Sequence, residues 1–385
     1  MILGLTLTTF LLALCISFVL MPPFITLMQK YHILDKAGGR HIHTGYTAHM
    51  GGIIIYIAFV ISTIAILFLF RHETPLNNLF FLTCIVTIML IVGIRDDLHN
   101  ISAWSKLFIE ILIGVFMSYI GIRLDSLGGF LGIYHVPDWF GYLFTTCFFI
   151  VVANAYNLID GVDGQAGMQA INVLFFCALF ILTAIGVHSH IPRLRYAFFF
   201  YVCCIAMMGA IVGFLRYNWQ KAKIFMGDAG SLFIGTMLTC IIIISMKYTM
   251  AGNAIDAVIG TENHTFFGLR LKATIAPFLT IFYLPMADTL RVFINRARHD
   301  KSPFHPDKTH IHHLFLRIGY SHQRCTLTTF AISVCISVLG IVLAFLFNDN
   351  VCIPLIIVSW FLYVRLLHIY IKKNFDKVGL LKKQN

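Results

Sequence analysis

Residues 195–215 read RYAFFFYVCCIAMMGAIVGFL, and only the first residue of this stretch is charged. A run of about 20 apolar residues is long enough to cross the hydrocarbon core of a bilayer as a helix. It has to be a helix because lipid offers the backbone no hydrogen-bond partners. This stretch therefore predicts a membrane-spanning helix and indicates the fold class of the chain.

Ten further apolar stretches of similar length fill most of the remaining sequence. They are 3–28, 51–70, 76–94, 105–122, 139–158, 166–186, 230–247, 273–294, 325–347 and 351–371. Of the 385 residues, 59% are hydrophobic and 12% are charged, which is about half the charged fraction of a soluble domain. This composition excludes a soluble enzyme, a disordered chain and a fibrous repeat. We expect one all-α polytopic membrane domain over 1–385, with about eleven transmembrane helices.

Lysine and arginine indicate the orientation. If the N-terminus lies outside, most of the 28 lysine and arginine residues fall on the inner side, where membrane proteins concentrate positive charge. We expect an N-out, C-in topology with a basic cytoplasmic tail at 372–385, and the net charge of +11 then requires no nucleic-acid partner. The polar, glycine-rich segment 123–136 predicts a short hairpin or re-entrant piece on the outer face.

The first acidic motif closes the third predicted span. Residues 94–100, IRDDLHN, place Asp96 and Asp97 side by side, and like charges this close favour a retained proton or a bound cation. A solvated helix end is the alternative.

The second motif follows the fifth predicted span and reads NAYNLIDGVDG over 154–164. Asp160 and Asp163 are each followed by glycine, which lets a ligand approach the backbone closely. Asn157 adds a neutral oxygen one helical turn earlier. This pattern is typical of a hard-cation site or a phosphate-binding loop, and a plain Asx turn is the alternative.

The third motif, KIFMGDAGS at 223–231, places Asp228 between glycines at the start of the eighth predicted span. An acid at this position is a helix cap or a metal ligand. Phe225, just before it, could stack on a base or anchor the helix at the interface.

The fourth motif is SPFHPDKTHIHH at 302–313, with four histidines in nine residues of a basic loop. Phosphate binding or proton handling explains it better than zinc, since no cysteine joins it and His312 and His313 are adjacent. A solvated basic loop is the alternative. The upstream residues that can donate to phosphate are Arg291, Arg296 and Arg298.

All four motifs fall on the inner side in the predicted topology. Carboxylates suited to Mg²⁺ beside cationic groups suited to phosphate predict phosphoryl transfer, and the surrounding lipid favours a lipid phosphate as one substrate. A proton- or metal-coupled transporter is the alternative class, but it would carry its ionisable groups near the bilayer midplane. Most acids here cluster at the inner ends, with Asp288 the exception, and Asp288 lies three residues before Arg291. A non-enzymatic scaffold leaves the ordered acidic motifs unexplained.

Taken in order between these spans, the motifs DDLHN, NAYNLIDGVDG, FMGDAGS and SPFHPDKTHIHH resemble those of the polyprenyl-phosphate N-acetylhexosamine-1-phosphate transferases. The resemblance covers about 35–313, and the HIHH form is similar to the branch that initiates O-antigen, enterobacterial common antigen or teichoic acid synthesis. It implies transfer of N-acetylhexosamine-1-phosphate, first of all GlcNAc-1-phosphate, from a UDP-sugar to undecaprenyl phosphate with release of UMP. The implied cofactor is Mg²⁺, with Mn²⁺ as a substitute.

The resemblance also implies a multi-pass protein of the bacterial cytoplasmic membrane whose active site faces the cytoplasm. Another UDP-N-acetylhexosamine or a phospho-MurNAc-pentapeptide donor is the alternative within the same reaction. A homodimer is one candidate assembly. Two routes remain open: direct attack of the lipid phosphate on the β-phosphorus of the donor, and a two-step route through an aspartyl-phosphate.

Roles follow from the matching motif positions. Asp96 or Asp97 would activate the lipid phosphate, and Asp228 would bind the metal, with Asp97 and Asn157 as further candidate ligands. The residues that would line the nucleotide and diphosphate pocket are Asn157, Asp160, Gly161, Asp163, Asn218 and Phe225. Those that would bind phosphates and sugar are Arg40, His43, Arg296, Arg298, His310, His312 and His313. The chain departs from the family pattern at Asn100, where a third acid is usual, and at Ala48-His49, where Pro-Arg is usual.

Overall fold

The computed structural model describes residues 2–35, 47–69, 76–187, 194–259, 271–299 and 309–384. These residues form thirteen α-helices, a 3-10 helix at Phe130–Gly132 and two short strands. The helices are α1 (Ile2–Lys30), α2 (Gly52–Leu69), α3 (Leu76–His99), α4 (Ala103–Tyr119), α5 (Asp138–Ile159), α6 (Gln165–Val187), α7 (Leu194–Asn218), α8 (Gly227–Ile259), α9 (Ala276–Ile281), α10 (Tyr283–Ala297), α11 (Ile311–Arg317), α12 (His322–Leu346) and α13 (Asp349–Gln384). The strands β1 (Leu34–Asp35) and β2 (Thr47–Ala48) pair antiparallel.

Within the described ranges, nine helices are long and apolar enough to cross a membrane, which confirms an all-α polytopic membrane protein. They match nine of the predicted spans, and the other two differ. The stretch predicted at 105–122 is α4, whose 17 residues make a helix about 26 Å long, slightly less than the roughly 30 Å hydrocarbon core. Gly121, with a φ of 92°, ends α4 because this left-handed conformation lets the next N–H return to the last turn.

The stretch predicted at 273–294 is broken at Phe282 into α9 and α10. Pro285 has no N–H to bond the carbonyl of Ile281, and its ring crowds that carbonyl. Asn172 of α6 donates its Nδ2 to the freed carbonyl at 3.0 Å. Neighbouring protein thus satisfies a backbone group that lipid could not, so the helix can be interrupted inside the bundle.

Helices α7 and α8 form the centre of the bundle. In the apolar stretch of each, 94% of the residues are buried, against 11% in α13. A side chain at Gly52 would collide with the backbone of Gly230, and a side chain at Gly93 would collide with the backbone of Asp228 and Ala229. These glycines therefore let α2 and α3 pack directly against the first turn of α8, where the third motif lies.

The segment predicted as an outer hairpin, 123–136, is a loop that contains the 3-10 helix. Its ends meet where the N–H of Val136 donates to the carbonyl of Asp125 at 3.2 Å. The loop joins the C-terminus of α4 to the N-terminus of α5, at the end of the bundle away from the four motifs. The basic tail predicted at 372–385 continues α13 as far as Gln384. The predicted membrane orientation stays a prediction.

Candidate active site

The four motifs border two adjoining cavities at one end of the bundle. The smaller cavity has a volume of about 170 Å³ and the larger one of about 840 Å³. The residues that line both are Asn157, Asp160, Gly161 and Asp228. The other residues around the smaller cavity are His49, Asp97, Val162, Asp163, Asn218, Phe225 and Gly227. Motifs that are far apart in the sequence thus surround one space.

The carboxylate of Asp97 holds the start of α8. Its Oδ1 accepts the N–H of Asp228 at 2.8 Å, and its Oδ2 accepts the N–H of Ala229 at 3.0 Å. N–H groups in the first turn of a helix lack partners within the helix and carry partial positive charge, so an acid supplied by α3 stabilises them. The Asp97 side chain is 2% exposed, and Nδ1 of His49 lies 3.6 Å from its Oδ1. Asp97 therefore borders the smaller cavity with both oxygens engaged.

Asp96 lies outside this wall. It accepts the N–H of Ile101 at 2.7 Å and an N–H of the Lys106 ammonium at 3.3 Å, and it lines neither cavity. Successive residues of an α-helix are about 100° apart, so neighbouring acids face different directions. The structure thus separates the two candidate catalytic acids: Asp97 reaches the site, and Asp96 supports the turn between α3 and α4.

Asn157 connects the second and third motifs. Its Nδ2 donates a short hydrogen bond to Oδ1 of Asp228 and a second one to Oγ of Ser231 at 2.7 Å. Both acceptors belong to the first turns of α8, whereas Asn157 lies in the last turn of α5. This amide therefore fixes the carboxylate of Asp228 in the wall that the two cavities share.

The oxygen atoms around the smaller cavity suit a hard cation such as Mg²⁺ better than a soft metal. Asp97, Asp160 and Asp228 bring carboxylates, and Asn157 brings an amide. Over the ranges that the structure describes, no group of three His, Cys, Asp or Glu side chains forms a closed metal site. Mg²⁺ does not need one, because it commonly uses one or two carboxylates together with waters and substrate phosphates.

Asp160 experiences crowded negative charge. Its pKa is raised from the ordinary value of 3.8 to about 7 by desolvation first, and then by the carboxylates of Asp228, Asp97 and Asp163. A cation bound among these acids would offset the repulsion and favour the ionised form. The donor set is therefore compatible with a divalent ion.

Asn218 and Asp163 hold the loop that follows α5. Asn218 accepts the N–H of Gly164 and donates to the carbonyl of Ile224, both at 2.8 Å. Its amide thus ties this loop to the one before α8, and its predicted contact with the nucleotide stays a prediction. Asp163 is 3.3 Å from Nδ1 of His322, the first residue of α12. The sequence carried no signal for His322, because it is one of four consecutive polar residues, 321–324, just ahead of an apolar span.

The ring of Phe225 stands in the wall of the smaller cavity. Its N–H donates to the carbonyl of Ala48, and its own carbonyl accepts the N–H of Gly51, both at 2.9 Å. The ring of His49 meets it edge-on, with 6.5 Å between the centroids. A partly exposed aromatic ring on a backbone fixed from both sides suits stacking on a base. The departure from the family pattern at 48–49 therefore lies within the site.

The histidine motif forms one side of the larger cavity. The rings of His310 and His312 are nearly parallel with centroids 5.8 Å apart, and the ring of His313 lies 4.3 Å from that of His312. A side chain at Gly161 would collide with the His312 ring, so this glycine lets the histidines close over the acidic loop. Arg296, only 4% exposed, lines the same cavity.

The other predicted basic residues are placed differently. Arg298 is exposed and lines neither cavity. Arg40 and His43 lie outside the described residues. Lys106 was not among the predicted site residues, yet it borders the larger cavity. Lys106 lies in the first turn of α4, shortly after the first acidic motif. A lysine at the start of a predicted apolar span was the signal that could have identified it.

The rest of the larger cavity is mainly apolar. It extends along α4, α5, α9, α10 and α13, and its apolar lining includes Leu107, Ile150, Leu158, Leu279, Met286, Leu290, Ile357 and Trp360. Cationic and histidine side chains at one end and apolar side chains elsewhere suit an amphiphile with an anionic head group. The arrangement can therefore bring a lipid phosphate to the wall that also borders the polar cavity.

Comparisons with known proteins are consistent with this chemistry. Residues 79–246, from α3 into α8, match the family model described as glycosyl transferase family 4. The chain is 30% identical over 308 residues to the decaprenyl-phosphate N-acetylglucosaminephosphotransferase of Mycolicibacterium smegmatis, which covers 75% of this chain and 70% of the relative. It is 29% identical over 343 residues to the undecaprenyl-phosphate alpha-N-acetylglucosaminyl 1-phosphate transferase of Yersinia pestis, covering 87% and 84%. It is 27% identical over 315 residues to a probable undecaprenyl-phosphate N-acetylglucosaminyl 1-phosphate transferase of Bacillus subtilis, covering 82% and 78%.

Proposed function

This chain belongs to the family of polyprenyl-phosphate N-acetylglucosamine-1-phosphate transferases, and we propose that it transfers GlcNAc-1-phosphate from UDP-GlcNAc to undecaprenyl phosphate and releases UMP. The product is a lipid-diphosphate-linked sugar of the kind that initiates a cell-surface polysaccharide. The observation that carries the proposal is the shared wall of Asn157, Asp160, Gly161 and Asp228, which separates a polar cavity from a mainly apolar one. A reaction between a sugar nucleotide and a lipid phosphate needs these two environments side by side.

The donor would occupy the polar cavity. Phe225 would stack on the uracil, and the loop that contains Gly161 and Asp163 would face the diphosphate. His310, His312, His313 and Arg296 would hold phosphate and sugar oxygens from the larger cavity. Several donors aimed at the transferred phosphoryl group would stabilise the charge that spreads over its oxygens in the transition state.

The acceptor would lie with its chain along the apolar walls and its phosphate beside Asp160 and Asp228. One of its oxygens attacks the β-phosphorus of the donor, a new P–O bond forms, and the bond to UMP breaks. Little proton transfer is required, because a phosphate monoester has a second pKa of about 6. We therefore propose that Asp97, whose oxygens are bound to α8, orders the site and supplies negative charge more than it acts as a base or nucleophile. This favours direct attack over the aspartyl-phosphate route.

Mg²⁺, with Mn²⁺ as a substitute, is the cofactor that we propose. Asp228, Asp97 and Asn157 would hold it, with Asp160 beside them. When bound, the ion would neutralise charge on the reacting phosphates. The acids present here would position the ion. Without the ion, Asp160 would keep a proton, as its raised pKa indicates.

We propose that the protein resides in a bacterial cytoplasmic membrane with this site facing the cytoplasm, where UDP-sugars are made. The basic helix end at Lys372 and Lys373 is on the side predicted to be cytoplasmic. A fluorescent protein fused to the C-terminus should therefore mature and fluoresce. A homodimer remains a proposal that the oligomeric mass in detergent would test.

A radiochemical assay tests the function. Purified protein, undecaprenyl phosphate, Mg²⁺ and radiolabelled UDP-GlcNAc should give a labelled lipid and UMP. If labelled lipid forms only from another UDP-N-acetylhexosamine, or only from UDP-MurNAc-pentapeptide, then that compound and not UDP-GlcNAc is the donor. If no donor supports transfer and vesicles take up a cation without sugar nucleotide, then the protein is a transporter and not a transferase. Labelled phosphosugar on the protein in the absence of lipid would restore the two-step route.

A further inference from the structure

His310 is buried, and its two ring nitrogens have different surroundings. The residue is 5% exposed, and its Nδ1 lies 2.9 Å from Oδ2 of Asp288. Its Nε2 is buried and has no hydrogen-bond partner among the described residues, while the residue lines the larger cavity. A buried polar atom without a partner is costly, so the ring is arranged for a ligand that binds from the cavity.

Asp288 connects the histidine motif to α10 and α13. On α10 itself, Arg291 donates to Oδ1 at 2.7 Å, and the same guanidinium donates to the carbonyl of Thr309 at 2.6 Å. The N–H of Ile311 donates to the Asp288 carboxylate at 3.1 Å, and Tyr363 of α13 donates its hydroxyl at 3.3 Å. The titratable and charged groups that face Asp288 are Arg291, His310 and Tyr363.

These contacts do more than neutralise one buried acid. The ion pair between Arg291 and Oδ1 already neutralises the charge of Asp288. The other oxygen faces Nδ1 of His310, and a carboxylate at Nδ1 requires that nitrogen to carry a proton. The neutral ring then presents Nε2 as an acceptor, and the protonated ring presents it as a donor. Carboxylates that orient a histidine in this way fix both its tautomer and its ring plane.

We propose that Asp288 is a positioning residue for His310: it holds the Nδ1–H tautomer so that Nε2 faces the phosphate or sugar oxygens of the bound donor. The inference rests on the proposed transferase function and extends it to a residue that contacts no substrate. It also gives Asp288, a buried acid that lies outside the four motifs, a role in the reaction.

Asp288→Asn tests this arrangement. The Asn oxygen will turn to the donors of Arg291, so the amide NH₂ faces His310 and can pair only with an unprotonated Nδ1. The ring then changes tautomer, as when an amide replaces the acid of a carboxylate–histidine pair. We expect kcat to fall by about tenfold to a hundredfold, while KM for the sugar nucleotide changes by less than about threefold.

A double-mutant cycle separates positioning from folding. In His310→Gln the side-chain amide reaches the place of Nε2 without needing a partner at Nδ1. We expect this variant to keep part of the activity, and Asp288→Asn to cause no further loss in the His310→Gln background. Tyr363→Phe removes a different contact of Asp288 and should keep kcat within about twofold of wild type.

Two results would overturn the proposal. The first is an equal fractional loss of activity when Asp288→Asn is introduced into the wild type and into the His310→Gln variant. Asp288 would then act through the fold and not through His310. The second comes from ¹⁵N-histidine spectra of the wild type, in which the His310 signal is the one that disappears in His310→Gln. A His310 signal that shows Nδ1 without a proton would contradict the proposed tautomer. Absence of transfer by the wild type would instead reject the proposed function, so the two failures are distinguishable.

Discussion

The carboxylate of Asp97, at the end of α3, accepts the backbone N–H of Asp228, at the start of α8, over a distance of 2.8 Å. Gly93 makes the contact possible, because a side chain there would collide with the backbone of Asp228 and Ala229. The first acidic motif therefore sets the position of the third. The two acids that the sequence offered as separate candidate ligands form a single unit at the N-terminus of a central helix.

This unit predicts opposite outcomes for the neighbouring acids of the first motif. Asp97→Asn places an NH₂ against N–H donors and removes a negative charge from the cavity wall, so transfer should fall by about a hundredfold or more. Asp96→Asn is the matched control, because no atom of Asp96 lines either cavity. It should retain transfer within about fivefold of wild type, measured with labelled UDP-GlcNAc. Equal losses in both variants would contradict the assignment of Asp97 alone to the site.

Gly161→Ala should impair transfer without a change of charge. The added methyl group would collide with the ring of His312 and push the histidines away from the acidic loop. A displacement of about 1 Å at a reacting centre costs roughly a hundredfold in rate. Gly4→Ala in α1 is the control, because its added methyl group meets nothing within 4 Å, and its kcat should equal that of wild type. Normal activity of Gly161→Ala would mean that the two motifs do not need this close contact.

The larger cavity predicts a substitution that acts on the lipid alone. Ile357 of α13 lines this cavity, and Ile357→Trp would fill part of it. The KM for undecaprenyl phosphate should rise several-fold, whereas the KM for UDP-GlcNAc should stay unchanged, because the polar cavity is untouched. Ile369→Trp, at another exposed position of α13, is the control and should change neither. A rise in the KM for the sugar nucleotide would mean that the donor, and not only the lipid, lies along the apolar walls of the larger cavity.

The pKa of Asp160 predicts how stability depends on pH in the absence of metal. Because the folded pKa is raised from 3.8 to about 7, the folded state binds the proton more tightly than the unfolded chain. The protonated Asp160 carboxyl therefore contributes its full stabilisation below pH 3.8, the pKa of the unfolded chain, and this stabilisation is lost as pH rises through about 7. With EDTA, the thermal unfolding midpoint should therefore decrease between about pH 5 and pH 8, and less steeply in Asp160→Asn.

Magnesium removal completes this test. A cation that binds the ionised acids of the folded state stabilises it by mass action. Added Mg²⁺ should raise the unfolding midpoint of the wild type more at about pH 8 than at about pH 5, and Asp160→Asn should reduce that difference. An Mg²⁺ effect of the same size at both pH values would contradict a site formed by these acids.

Much of the fold could be predicted because the spans are long and apolar, and nine of the predicted stretches are long apolar helices in the described residues. The break at Phe282 was missed although Pro285 was visible, because a proline is tolerated inside a bundle only if a neighbour bonds the freed carbonyl. That neighbour, Asn172, lies 109 residues earlier in the chain. The separation of Asp96 from Asp97 follows from the geometry of any helix, but which of the two faces the site depends on how α3 packs.

The sequence by itself determined that this chain is a membrane protein, where nine of its spans begin and end to within about five residues, and which four motifs carry the polar chemistry. These properties are local, since apolar length and clusters of acids and histidines need no knowledge of neighbours. Only the tertiary structure decided that Asp97 binds the start of α8, that Asp288 supports His310, and that a polar and an apolar cavity share one wall. The first and the last of these depend on helices distant in sequence meeting at short range, which glycines such as Gly93 and Gly52 allow.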